Sequence, residues 1–225
     1  MHIPKTAGSA FRHGLYEMCR RARIPVMELP EDGRYPFYEE FLPLIESYVA
    51  EFKMIFCHAP LPWTLGYPVR VITVIRDPFY RIISHINHSM RADGKEGKTT
   101  INAFVKNRRN ARFLRSLENT YVKYFAFGGS PESEHFDART HLAFAMQNFK
   151  KVALCKDTEF DTLLKRFYVE GSDTPLLADM NFRQEKINTS KVRAEDTELE
   201  PEVIEKIKHM SAVDYELLEA NGFFF

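Results

Sequence analysis

The chain has 225 residues, 44% of them hydrophobic, with 19 Phe and 10 Tyr, which is enough for one domain with a sizeable core. Lys+Arg and Asp+Glu both total 31, so the net charge is zero, which excludes bulk nucleic-acid binding as the main role. Three widely spaced Cys without a CxxC pair exclude a disulfide framework and a zinc site, and they point to a reducing compartment. No apolar run suggests stable membrane insertion, and no signal peptide is visible.

The first dozen residues read as the end of a strand, a tight loop and the start of a helix. Ala7 and Gly8 let the backbone curl and approach a ligand. Thr6 and Ser9 supply hydroxyls, and Lys5 supplies a mobile charge. The helix that follows adds N–H groups and a positive dipole end, so this loop is a candidate anion site. It is not a Walker A loop, because Lys5 precedes Gly8.

Helical spacing covers 10–23, with Phe11, Leu15, Met18, Cys19 and Ala22 on one face. Pro25 to Pro36 reads as a loop, and 37–52 return to helical spacing. Residues 53–57 form an apolar run that reads as a buried strand ending at His58. Residues 70–76 are the clearest strand, rich in β-branched side chains. Asp77 then caps a helix whose first turn holds Pro78. Its apolar face is Phe79, Ile82, Ile83, Ile86 and Met90. Residues 91–99 read as a loop. Thr100 to Phe127 is helical, in one or two pieces, until Gly128-Gly129-Ser130-Pro131 breaks it. A helix from His135 to Phe149, a strand over 151–155 and a helix near 159–169 follow. Residues 170–200 are irregular, and helices from Pro201 to His209 and from Asp214 to Ala220 close the chain.

Strands alternating with helices imply a parallel sheet covered on both faces, with ligands at the carboxyl ends of its strands. Arg76, ending a strand, and Ser84, two turns into the next helix, read either as a pair that grips one phosphate or as a helix-capping Arg-Asp-Pro corner with a buried Ser. Lys106, Arg108, Arg109, Arg112 and Arg115 form a basic cluster. Arg108, Arg112 and Arg115 share a helical face. That stripe reads either as a solvated surface or as a hold for an acidic acceptor such as a uronic-acid glycan.

Pro4-Lys5-Thr6-Ala7-Gly8-Ser9 resembles the 5′-phosphosulfate loop of sulfotransferases that use 3′-phosphoadenosine 5′-phosphosulfate (PAPS). Arg76-Asp77-Pro78 with Arg81 and Ser84 resembles their 3′-phosphate motif. The likeness is nearest to the heparan-sulfate 2-O-sulfotransferase branch and its bacterial relatives. It implies an α/β fold: a three-layer sandwich with a central parallel sheet and a P-loop-like phosphosulfate-binding loop. It implies one domain over 1–225, its first strand truncated or very short, since only Met1, His2 and Ile3 precede the loop.

The same resemblance implies an enzyme that moves a sulfuryl group from PAPS to an acceptor hydroxyl by in-line displacement, with no metal. His58 would be the general base and Lys5 would neutralise the bridging oxygen. Lys5, Thr6, Ala7, Gly8, Ser9 and Ala10 would hold the 5′-phosphate, and Arg76 and Ser84 the 3′-phosphate. Asn188 and Ser190 would belong to a loop closing over the nucleotide. His85 and His88 are the next candidates for the base. The expected acceptor is a hydroxyl-bearing small molecule or glycan. The expected setting is cytoplasmic, with the lumenal domain of a longer membrane-anchored protein as the alternative. Two other readings remain at this point: a non-catalytic module binding the 3′-phosphoadenosine nucleotide, and a phosphoryl-transfer enzyme with an unusual phosphate loop.

Overall fold

The computed structural model describes residues 6, 16, 19–20, 26–28, 54–56, 71–94, 99–127, 136–156 and 198–225. The chain divides into two compact units, Met1–Ile75 with Ala153–Ile187 and Arg76–Val152 with Asn188–Phe225.

In the first unit, β1 (Val26–Glu28) and β2 (Met54–Phe56) pair in parallel, with Val26 opposite Met54 and Glu28 opposite Phe56. A second pair joins β3 (Val71–Ile75) to β4 (Val152–Lys156). Val71, Thr73, Val74 and Ile75 are all buried, so β3 is covered on both faces. Tyr16, Cys19 and Arg20 are helical, with Cys19 buried and the other two exposed. The stretch from Pro25 to Pro36, expected as a loop, contains β1. Three residues are too few to show a period of two, so their pairing with β2 decided the matter.

The expected three-layer sandwich is not what the chain builds. The described strands form two separate two-stranded sheets in place of one central parallel sheet, and helices hold most of the described residues. Apolar residues at a spacing of three and four prevail over the short strands, and that pattern is satisfied by packing helix on helix.

The second unit is helical. α1 (Pro78–Ala92) begins where Asp77 caps it and Pro78 fixes its first turn. Thr100 caps α2 (Ile101–Lys106), accepting from Ala103 N at 3.2 Å. A 3₁₀ turn (Arg108–Asn110), α3 (Ala111–Leu117) and α4 (Thr120–Phe127) follow. The stretch expected as one or two helices is thus cut into shorter pieces. Asn residues make the cuts, because a short amide side chain competes for backbone partners. Asn107 accepts from Arg109 N at 3.0 Å, and Asn110 donates to the Phe104 carbonyl at 2.9 Å. Asn119 sits at φ 44, a left-handed conformation that Asn tolerates better than most residues. α5 (Ala138–Phe149), α6 (Pro201–Met210) and α7 (Ala212–Glu219) complete the unit.

Ile82, Ile83, Ile86 and Met90 of α1 pack with Ile101, Phe104 and Val105 of α2, with Leu114 and Leu117 of α3, and with Val203, Ile207 and Met210 of α6. Residues from α4, α5 and α7 form further core. Phe125 lies 4.7 Å from Phe149 between ring centroids, and Phe149 lies 5.6 Å from Phe223. Asn148, fully buried there, donates to the Phe125 carbonyl at 2.9 Å, near the C-terminus of α4.

Candidate functional site

Arg76 and Asp77, the two residues leading into α1, are held by tyrosines from two other helices. The Tyr121 hydroxyl accepts from Arg76 N at 3.0 Å and donates to the Arg76 carbonyl at 2.6 Å. The Tyr215 hydroxyl donates to Asp77 Oδ1 at 2.6 Å. Burial pushes the Tyr215 pKa up, and the hydrogen bond to Asp77 adds to this, so the phenol stays protonated. Asp77 Oδ1 also accepts from Phe79 N at 2.8 Å and Tyr80 N at 3.3 Å, and the Asp77 carbonyl accepts from Arg81 N at 2.9 Å. Pro78 has no N–H to offer. The first-turn donors of α1 are therefore satisfied from within the chain. Any anion here would be held by side chains.

Beneath this turn lies a buried polar cluster. Arg81 is fully buried, donates to the Leu117 carbonyl at 2.8 Å and lies over the Tyr121 ring at 5.8 Å. Burial lowers its pKa, opposed by Tyr121, Asp214 and Tyr124. Asp214, also fully buried, accepts from Val122 N at 2.9 Å. Burial pushes its pKa up to about 6, opposed first by the Arg81 charge and then by backbone N–H groups of Val122 and Tyr121. Lys123 donates to the carbonyls of Arg115 and Ser116 at 3.1 and 3.3 Å, covering the C-terminus of α3. Burial lowers the Lys123 pKa, opposed by Glu118 and Asp214.

Of the expected site residues, the structure describes Thr6, Arg76 and Ser84. Thr6 is buried in a bend of the first unit. Arg76 and Ser84 are half-buried in the second. Tyr80, Ser84 and His88 follow at a spacing of four along α1, the interval that separates Arg76 from Tyr80. Lys5, Ala7, Gly8, Ser9, Ala10, His58, Asn188 and Ser190 lie outside the described residues. Sequence reasoning missed Tyr121, Asn119, Asp214 and Tyr215, and it placed Arg81 in the 3′-phosphate motif, whereas the structure buries that side chain in the core.

Among the described residues no His, Cys, Asp or Glu cluster is placed to hold a metal ion. No family model matches the chain, and no curated protein matches it. The sulfotransferase resemblance therefore does not extend beyond its short motifs. The fold explains part of the second motif. Asp77 and Pro78 start a helix, as they do in many proteins, and Arg81 fills the core. With the resemblance go the enzyme assignment, PAPS as co-substrate, the phosphosulfate loop and sulfuryl transfer from a central sheet. The alternatives of a 3′-phosphoadenosine module and a phosphoryl-transfer enzyme rested on the same loop and go with it. No helix among the described residues is long and apolar enough to cross a membrane.

Proposed function

We propose that the second unit binds a ligand bearing a tetrahedral oxyanion, with Arg76 as the charged contact and Ser84 as a hydroxyl contact. The observation that supports this is the double hydrogen bond from Tyr121, which fixes the Arg76 peptide on both its N–H and its carbonyl side. A side chain on an immobilised backbone loses less entropy on engaging a ligand. A guanidinium fork suits two oxygens of a phosphate or sulfate group, and a serine hydroxyl can complete the set. The ligand is a small molecule or a modified glycan carrying that group.

The setting we propose is a reducing, cytoplasmic one. Cys19 is buried, and burial raises its thiol pKa to about 11, so it is kept as an unreactive thiol.

Isothermal titration of the full chain with inorganic phosphate, and separately with sulfate, tests the reading. The wild type should bind one of them, and Arg76→Ala should weaken it about tenfold or more. Arg76→Lys should recover part of the loss by restoring charge without the fork. Thermal melting of each variant shows that it is folded. A folded Arg76→Ala chain that binds as tightly as the wild type removes Arg76 from the site, and absence of binding by the wild type removes the site.

A further inference from the structure

Residues 106–115 carry Lys106, Arg108, Arg109, Arg112 and Arg115, with no acidic residue among them. All five are exposed. Below them Leu114 and Leu117 are buried in the core, and Phe113 packs against it, so the basic side is carried on a fixed base. Crowding like charges weakens a short helix.

Lys106 shows how this surface recognises acid. It forms ion pairs with Glu200 and with Glu202, the latter at 3.4 Å. The Glu200 hydrogen bond is the main cause of its raised pKa. The chain supplying these carboxylates is irregular over 198–200 and is held to α2 by its backbone. Asn102 donates to the Glu198 carbonyl at 3.4 Å and accepts from Glu200 N at 3.1 Å. The molecule thus docks one acidic stretch of its own chain beside the first cation of the row. Among the described residues, Arg108, Arg109 and Arg115 form no ion pair.

We propose that Arg108, Arg109 and Arg115 dock an extended acidic peptide segment of a partner protein. Charge complementarity carries the assignment, and the Lys106 contact supplies its precedent within the same surface. Carboxylates suit guanidinium forks. The exposed large apolar side chains of the described residues are Tyr16, Phe144, Phe224 and Phe225. None belongs to this segment, so it offers no stacking platform for the bases of a single-stranded nucleic acid.

The test is fluorescence anisotropy of the full chain with a labelled peptide of alternating Glu and Ser. An oligothymidylate and dextran sulfate of matched charge serve as competitors. The peptide should bind, and binding should weaken as salt rises. Arg108→Glu combined with Arg115→Glu should weaken it about tenfold or more. Lys208→Glu, an exposed cation on α6, should leave it unchanged, and circular dichroism should show that each variant is folded. The proposal is overturned if the peptide fails to bind, if the double variant binds it equally well, or if either competitor binds more tightly than the peptide.

Discussion

Tyr121 brackets Arg76: one phenolic oxygen serves both the N–H and the carbonyl of the same residue, at 3.0 and 2.6 Å. Tyr121 is fully buried, so water has no ready access from its side. Tyr121→Phe keeps the ring that faces Arg81 and removes only the hydroxyl. It takes both of these hydrogen bonds away from half-buried backbone groups, and should cost roughly 1–3 kcal/mol. Urea unfolding measures this directly. A cost within error of zero would mean that water replaces the hydroxyl.

Asn119 joins a turn to a helix elsewhere in the unit. Its side chain accepts from Val213 N at 3.0 Å and Asp214 N at 3.3 Å, and so caps α7, whose own N-cap Ser211 makes no side-chain cap bond. Asn119→Gly loses this cap and keeps the backbone conformation, for about 0.5–2 kcal/mol. Asn119→Ala loses the cap and adds about 1–2 kcal/mol of left-handed strain. The Ala variant should therefore melt below the Gly variant. Equal melting would show that the turn relaxes to negative φ.

Asp214 makes stability depend on pH. Its folded pKa of about 6 lies above its ordinary value of 3.8. Between those values the folded chain holds a proton that the unfolded chain has released. Its contribution to stability therefore falls as pH rises from about 4 to about 6, and levels off above. The amplitude is on the order of 2–3 kcal/mol. The wild-type unfolding free energy minus that of Asp214→Asn should decline across this window; a flat difference would count against the buried carboxylate. At pH 7 Arg81→Met leaves Asp214 without its main opposing charge and should cost roughly 3–5 kcal/mol. Combined with Asp214→Asn it should cost less than the sum of the single changes.

Ile86 is fully buried in the cluster shared by α1, α2, α3 and α6. Ile86→Ala removes apolar contacts and leaves a cavity, and should lower stability by about 2–5 kcal/mol. Calorimetry should show the lower melting temperature without loss of helix signal in circular dichroism. Ala103→Gly on the exposed side of α2 should cost about 1 kcal/mol, through helix propensity alone.

By itself the sequence determined the local elements whose signals are local. The β-branched run gave β3, Asp77 with Pro78 gave the start of α1, and the spacing of Ile82, Ile83, Ile86 and Met90 gave its buried face. Capping and periodicity act within a few residues, so one stretch of chain is enough to show them. It did not determine how those elements assemble. Short motifs of common residues suggested a nucleotide-binding enzyme on a central sheet, whereas the described strands pair two by two and the second unit is helical. The roles of Arg81, Tyr121, Asn119 and Asp214 depend on partners far away in sequence: Leu117 for Arg81, Arg76 for Tyr121, Val213 for Asn119 and Val122 for Asp214. Each is a polar group whose desolvation is compensated only when a distant helix arrives, and only the tertiary structure decided which helix that would be.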